Sequence, residues 1–329
     1  MITDTKIRII SYITTNGQAR VKDLVNHLGF GSVAIHRHLK SLVEKGQLVK
    51  AGAPPKVFYQ LPVESTTKTQ LVNGPASALL DKYFAYVDPT GRLETGLAGF
   101  QLWAQNVSKS GQVDSLLARY TLDRQNLETL FTSQGWIDAT ANVSKTFPAD
   151  MQLDGVFYLD FYSLPTFGKT RLGALMLYSK QSENRPLIHK LTDEVRPALD
   201  RLVSHLNVDA VAFLPHSIIR KTQFLKEFSV KLNLPLPHID LTKAYPGRIR
   251  VAQKTLGKLE ERVKNARETI FVENPTVRYE KVLLVDDAVG SGSTLNETAR
   301  KLKQMGLAQK VYGFAIVGSL KGFEVIREA

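Results

Sequence analysis

The 329-residue chain carries 43 Lys and Arg against 31 Asp and Glu, a formal net charge of +12, and contains no cysteine. Disulfides, thiolate zinc sites and cysteine nucleophiles are thereby excluded, which suits a reducing cytoplasm. No apolar run approaches the ~20 residues of a membrane span, and the polar start Met-Ile-Thr-Asp-Thr is not a signal peptide, so a soluble, unexported protein is expected. The length exceeds what one hydrophobic core usually organises, so two or three domains are expected. Charge is spread unevenly, at +6 over residues 1–61, −2 over 62–150 and +8 over the remainder. The seven histidines are scattered, and His36 and His38 fall on different faces of one expected helix, a poor basis for a metal site.

In chain order, Ile7, Ile10, Tyr12 and Ile13 fall at helical spacing before the Asn16-Gly17 break, and Val21, Leu24, Val25 and Leu28 make a second amphipathic segment closed by Gly29. A third starts at Ser32, a good N-cap, with Val33, Ile35, Leu39, Leu42 and Val43 as its buried stripe and Gly46 as its stop. Strand-like runs follow at Gln47 to Lys50 and Val57 to Leu61, joined by a Gly/Pro-rich turn. Three helices and a hairpin make a winged helix-turn-helix layout over residues 1–61. The stretch resembles the winged-helix repressors of bacteria and archaea, whose third helix enters the major groove of double-stranded DNA. That resemblance implies DNA contacts from Ser32, His36, Arg37 and Lys40 on the third helix and from Lys50 and Lys56 in the wing. His36 and Arg37 suit base edges and the lysines suit phosphates. The alternative is a winged helix used for protein contacts, its charges merely solvated.

Residues 62–78 are polar and lack apolar periodicity, and read as a linker. From 79 to 150 the pattern is mainly helical, with Asp88-Pro89-Thr90-Gly91 as a turn and an aromatic stripe including Tyr83, Phe84, Phe100 and Trp103. That stripe reads as core rather than ligand box, with a subunit interface as the next possibility.

From residue 151 to 329 strand-like and helix-like runs alternate, which indicates an α/β domain with a doubly wound parallel sheet covered by helices. Strands are expected at Val156 to Tyr162, Leu172 to Tyr178, Ala210 to Leu214, Lys281 to Asp286 and Lys310 to Val317, and helices near Leu187 to Leu206 and Lys221 to Leu232. The most informative stretch is Lys281 to Thr294, Lys-Val-Leu-Leu-Val-Asp-Asp-Ala-Val-Gly-Ser-Gly-Ser-Thr. The apolar run places Asp286 and Asp287 at a strand's carboxyl end, where ligands collect in open α/β sheets and where two carboxylates can accept from a vicinal diol. Gly290 and Gly292 free the next turn to aim backbone N–H groups and the hydroxyls of Ser291, Ser293 and Thr294 at an anion, ahead of a helix N-terminus. A tight strand-to-helix turn in some other doubly wound domain is the plain alternative. A Walker loop is excluded because no lysine precedes the Ser/Thr.

Strand, acidic pair and Gly/Ser/Thr loop together resemble the type I phosphoribosyltransferases. The resemblance implies that Asp286 and Asp287 hold the ribose hydroxyls of phosphoribosyl pyrophosphate (PRPP), and that Ala288, Gly290, Ser291, Gly292, Ser293 and Thr294 hold its 5′-phosphate. It also implies a pyrophosphate loop after Leu214, with Arg220 and Lys221 neutralising the leaving group together with Mg²⁺ carried by PRPP and not ligated by the protein. Solvated charges on a helix N-terminal turn are the alternative for those two residues. The stretch from Tyr245 to Ala266 resembles the flexible loop of the competence-related ComF subfamily, with Gln253, Leu256, Arg262 and Asn265 in its Gln-x-x-Leu and Arg-x-x-Asn elements. Arg248, Arg250 and Lys254 are then the mobile cations that close over PRPP. ComF proteins begin with a cysteine-rich zinc ribbon where this chain has the winged helix.

Two functional readings share this site. In one, the chain is a transcriptional regulator that senses PRPP or a related nucleotide, binds double-stranded DNA as a homodimer and changes affinity by the ligand's differential hold on two states. In the other it is an active phosphoribosyltransferase that moves ribose 5-phosphate to a nitrogenous base with release of pyrophosphate. The first is preferred, because a DNA-reading module has little use on a salvage enzyme.

Overall fold

A computed structural model of the chain describes residues 2–62, 74–107, 110–273 and 276–320, so most of the expected linker lies outside the described residues. The chain divides into two units, Met1–Leu71 and Val72–Ala329.

The first unit contains α1 (Ile2–Asn16), β1 (Gln18–Ala19), α2 (Val21–Leu28), α3 (Ser32–Glu44), β2 (Val49–Ala53) and β3 (Lys56–Gln60). Its strands form one antiparallel sheet in the order β1-β3-β2. Ile9, Ile13, Leu24, Ile35, Leu39, Leu42, Leu48 and Tyr59 close a core beneath the sheet and between the helices. Two expectations change here. Ser32 is the first helical residue and Gly31 is the cap, with no side-chain capping bond. Val33 is 82% exposed and Ile7 61% exposed, because Ile35 and Ile9 take the inward positions.

The second unit opens with α4 (Pro75–Tyr83), β4 (Ala85–Val87), β5 (Leu93–Thr95), α5 (Gly96–Asn106), α6 (Val113–Glu128), β6 (Ile137–Asp138) and α7 (Thr140–Thr146). It continues with β7 (Gly155–Phe161), β8 (Ser163–Leu164), β9 (Gly168–Lys169), α8 (Arg171–Gln181), α9 (Arg185–Leu206), β10 (Ala210–Phe213) and α10 (Phe224–Leu232). It closes with β11 (Leu241–Lys243), α11 (Leu259–Thr269), β12 (Ile270–Val272), β13 (Tyr279–Val289), α12 (Ser293–Gln304) and β14 (Ala308–Gly318).

A five-stranded sheet in the order β10-β13-β14-β7-β6 organises this unit, parallel from β10 to β7 and antiparallel at the β6 edge. Val282, Leu283, Leu284 and Val285 on β13 are fully buried. Val282 and Leu284 face one core with Leu295, Ala299 and Leu302 of α12, and Leu283 and Val285 face the other with Met176, Leu199 and Phe228. Both faces are covered, so an uninterrupted apolar strand is stable there, each side chain contributing roughly 1.5–3 kcal/mol by burial. Among the described residues no helix is long and apolar enough to cross a membrane.

Residues 79–150, read from sequence as a region separate from 151–329, share the core of the sheet, and β6 extends that sheet beside β7. Phe84, Phe100, Trp103, Tyr120 and Phe167 stack in one buried cluster, with Phe84 and Phe100 centroids 5.1 Å apart. The aromatic stripe is core, as expected. Arg124 on α6 donates to both carboxylate oxygens of Asp160 on β7 at 2.8 and 3.1 Å, with both side chains almost fully buried. The Asp88 turn joins β4 to β5, its Oδ1 accepting from the amides of Thr90 and Arg92 at 2.8 and 2.9 Å.

One expected strand is a helix. Leu172 to Tyr178 belongs to α8, which is capped by Thr170 Oγ1 accepting from Gly173 N at 3.1 Å. Sandwiched against the sheet and α9, it buries so many faces that its apolar run loses the 3.6-residue period.

Candidate functional site

At the carboxyl ends of β10 and β13 a cavity of about 230 Å³ opens between four walls. The first wall is the tip of β13 with the turn behind it. Asp286 and Asp287 both line the cavity, and Asp287 N donates to Asp286 Oδ1 at 2.8 Å. Burial, then the neighbouring Asp287 charge, pushes the Asp286 carboxyl well above the usual carboxylate range.

Gly290, Ser291 and Gly292 carry the chain into α12. Gly292 sits at φ 75° as the α12 cap, and a Cβ there would meet Val143 Cγ1 at 2.7 Å, so the turn requires glycine on two counts. Among the described residues, no acceptor takes the amides of Gly290, Ser291, Gly292 or Thr294, and these lie at the positive end of α12. The hydroxyls are arranged differently from expectation. Ser291 Oγ and Ser293 Oγ lie 3.0 Å apart and pair with each other, and Thr294 Oγ1 accepts from Gln253 Nε2 at 3.2 Å. The cup therefore offers backbone donors together with the Thr294 hydroxyl, which accepts from Gln253 without using its own O–H.

The second wall is the loop after β10, from Leu214 through Thr222. Arg220 lines the cavity, and its guanidinium donates to the main-chain carbonyl of Lys180. Lys221 is exposed and outside the lining, so of the two cations expected there Arg220 is the one that faces the cavity.

The third wall is the end of α8, which sequence reading missed. Lys180 Nζ lies 2.5 Å from Asp287 Oδ2 and 6.0 Å from the centroid of Phe224. Three residues on, Glu183 Oε2 accepts from Thr222 N at 2.7 Å, tying α8 to the second wall. Misassignment of α8 as a strand hid Lys180, which a helix of this length brings to the sheet's carboxyl edge.

The fourth wall comes from β11 and from residues 252–262. Lys243, 8% exposed, donates to Ser217 Oγ and Asn265 Oδ1, each at 3.1 Å, and burial lowers its pKa to about 8. Arg262 is 6% exposed and donates from Nε to the Leu256 carbonyl at 2.9 Å. Among the described residues no carboxylate pairs with its guanidinium, and burial lowers its pKa. Gln253 Nε2 donates to the Arg262 carbonyl at 3.0 Å, while its buried Oε1 finds no partner among the described residues. Gln253, Leu256 and Arg262 thus interlock, while Asn265 accepts from Lys243, and Gln253 and Arg262 line the cavity. Arg248 and Arg250 are exposed and outside the lining, with the Arg250 guanidinium 6.0 Å from the Tyr245 ring. The Lys254 side chain lies outside the described residues.

In the first unit Ser32, His36, Arg37, Lys40, Lys50 and Lys56 are all exposed, and Lys40 pairs loosely with Glu44 at 3.9 Å. The exposed side of α3 and the β2–β3 hairpin thus carry a cationic surface, and Val33 joins it.

No family model and no curated protein matches the chain. Among solved structures, an adenine phosphoribosyltransferase is 19% identical, covering 45% of this chain and 78% of its own, at a TM-score of 0.28. A hypoxanthine phosphoribosyltransferase from Staphylococcus aureus is 12% identical over 44% of this chain and 68% of its own, at 0.27. The adenine phosphoribosyltransferase of Leishmania tarentolae is 12% identical over 56% of this chain and 90% of its own, at 0.25.

Proposed function

We propose that the second unit binds a phosphorylated pentose of the PRPP type. The observation that supports this most strongly is the convergence of two unlike groups on one cavity: an acidic pair at a strand tip, and a glycine turn whose amides await an acceptor. A sugar diol suits the carboxylates and a phosphate suits the turn. Arg220 and Arg262, both lining the cavity, suit a second, pyrophosphate-like group.

Joined to the cationic surface of the first unit, this makes the chain a ligand-responsive DNA-binding regulator of winged helix-turn-helix type. The charge of +6 on residues 1–61 and the exposure of Arg37 and His36 support that reading. Phosphoribosyl transfer is the second reading, favoured by the cationic lining around the pyrophosphate position. In it the bond from the sugar's C1 to the pyrophosphate oxygen breaks, Arg220 and Arg262 stabilise the departing charge, and a nitrogen of the acceptor base forms the new bond.

Mg²⁺ would supply charge neutralisation on the pyrophosphate in that chemistry. The protein's own donor set fits it poorly, since Asp287 is already ion-paired with Lys180 and, among the described residues, no three His, Cys, Asp or Glu gather to hold a metal.

Isothermal titration of the full chain with PRPP tests the binding claim. PRPP is expected to bind, and Asp286→Asn with Asp287→Asn to weaken it by about 100-fold or more, two charged hydrogen bonds at roughly 1.5–3 kcal/mol each. Equal affinity in the double variant would remove the assignment. Pyrophosphate release with added bases would favour the enzymatic reading. For DNA, Arg37→Ala with Lys40→Ala is expected to lower the salt dependence of binding by roughly one counterion per lost phosphate contact, and an unchanged slope would exclude α3 as the contacting helix.

A further inference from the structure

The acidic pair at the tip of β13 already has its own counter-ions. Lys180 Nζ sits 2.5 Å from Asp287 Oδ2, and the two side chains are only 16 and 21% exposed. This lysine is not a swinging surface cation. Its main-chain carbonyl receives Arg220, and the adjoining turn holds Thr222 N through Glu183, so the end of α8 is fixed to the loop after β10 at two points. Lys243, held by Ser217 and Asn265, lines the same cavity and acts electrostatically on Asp286.

Counted over the lining, Lys180, Arg220, Lys243 and Arg262 stand against Asp286 and Asp287, an excess of positive charge before any ligand arrives. A phosphate group brings about −1.5 to −2 charges at neutral pH. A pentose with phosphate at one end and pyrophosphate at the other supplies what this cavity lacks. A divalent cation supplies more of what it has. Entering with the ligand, it would meet four cations, Asp286 and a second carboxylate whose charge is taken up by the Lys180 ammonium, so the Coulomb attraction that usually draws a metal to such a pair is weakened.

Resting on the reading that this cavity takes a pentose phosphate, we propose that Lys180 is a specificity-determining residue that stands in for the divalent metal at Asp287. The site therefore selects the metal-free polyanion over its Mg²⁺ complex. Lys180 acts by holding Asp287 in place for the diol and by screening it from the ligand's phosphates.

The test is titration of the full chain with PRPP in buffers containing either MgCl₂ or EDTA, for the parent, Lys180→Met and Lys180→Arg. The parent is expected to bind more tightly in EDTA than in Mg²⁺, and equal affinity in the two buffers would refute the selection. Lys180→Met is expected to lose roughly 10-fold or more in EDTA, the size of one charged hydrogen bond, and to regain most of it in Mg²⁺, now admitted beside an unpaired Asp287. Lys180→Arg should keep the parent's preference for the metal-free ligand. Parent binding that weakens in EDTA overturns the proposal as well, and so does a Lys180→Met loss of equal size in both buffers, the mark of a purely structural role. The two parent titrations decide the matter even if Lys180→Met fails to fold. Absence of PRPP binding by the parent in both buffers would instead refute the pentose-phosphate reading on which the proposal stands.

Discussion

Arg262→Met separates a ligand-binding arginine from a structural one by the relative size of two effects. Arg262 is 6% exposed, makes one hydrogen bond to the Leu256 carbonyl and has no carboxylate partner among the described residues. Its burial is therefore a cost in the free protein, offset when an anion arrives. Replacement by methionine removes the charge and keeps most of the volume. The lost hydrogen bond is worth roughly 0.5–1.5 kcal/mol and relief of the buried charge acts against it, so stability should change by no more than about 1 kcal/mol, or about 2–4 °C in Tm. Affinity should move far more, since a charged hydrogen bond to phosphate is worth roughly 1.5–3 kcal/mol, a 10- to 150-fold loss. Both tryptophans, Trp103 and Trp136, lie in the second unit, so their fluorescence follows its unfolding without interference from the first. Arg124→Met is the internal control. That guanidinium is paired bidentately with buried Asp160, and its removal strands a carboxylate, which should cost roughly 3–5 kcal/mol. An Arg262→Met protein that binds PRPP and pyrophosphate as the parent does, or one destabilised as much as Arg124→Met, would refute the assignment.

Gly292→Ala should destabilise the second unit by roughly 1–3 kcal/mol in denaturant unfolding, from a left-handed backbone at φ 75° and a Cβ 2.7 Å from Val143 Cγ1. Val143→Ala added to it should recover part of that loss, and no recovery would refute the steric account. Lys243 gives a pH signature. Its folded pKa is lowered to about 8 from an ordinary 10.5, so the unfolded chain binds more protons between those values and stability should rise with pH across that window. Affinity for an anion should fall across the same window as the ammonium is lost, and Lys243→Met should flatten both trends in calorimetric and titration series taken from pH 7 to 10.

The acidic pair and its glycine turn were legible in the sequence because every part of that site is contiguous. Asp286 and Asp287 follow an apolar run whose only stable place is a strand covered on both faces, and Gly290 to Thr294 follow directly, so chain order already dictates their juxtaposition. The same locality made the Asp88 turn and most of the core of the first unit readable, apart from the outward-facing Ile7 and Val33. What surrounds the pair was decided by tertiary structure alone. Lys180, Lys243 and Arg262 reach it from 107, 44 and 25 positions away counted from Asp287, and no spacing rule connects them. Lys180 was further concealed because α8, buried between sheet and α9, lacks the polar stripe that marks a helix. The separateness assigned to residues 79–150 failed for a related reason. An aromatic cluster reads as core from its composition, but which sheet it covers depends on pairings such as Arg124 with Asp160 and β6 with β7, contacts made only when distant segments fold together.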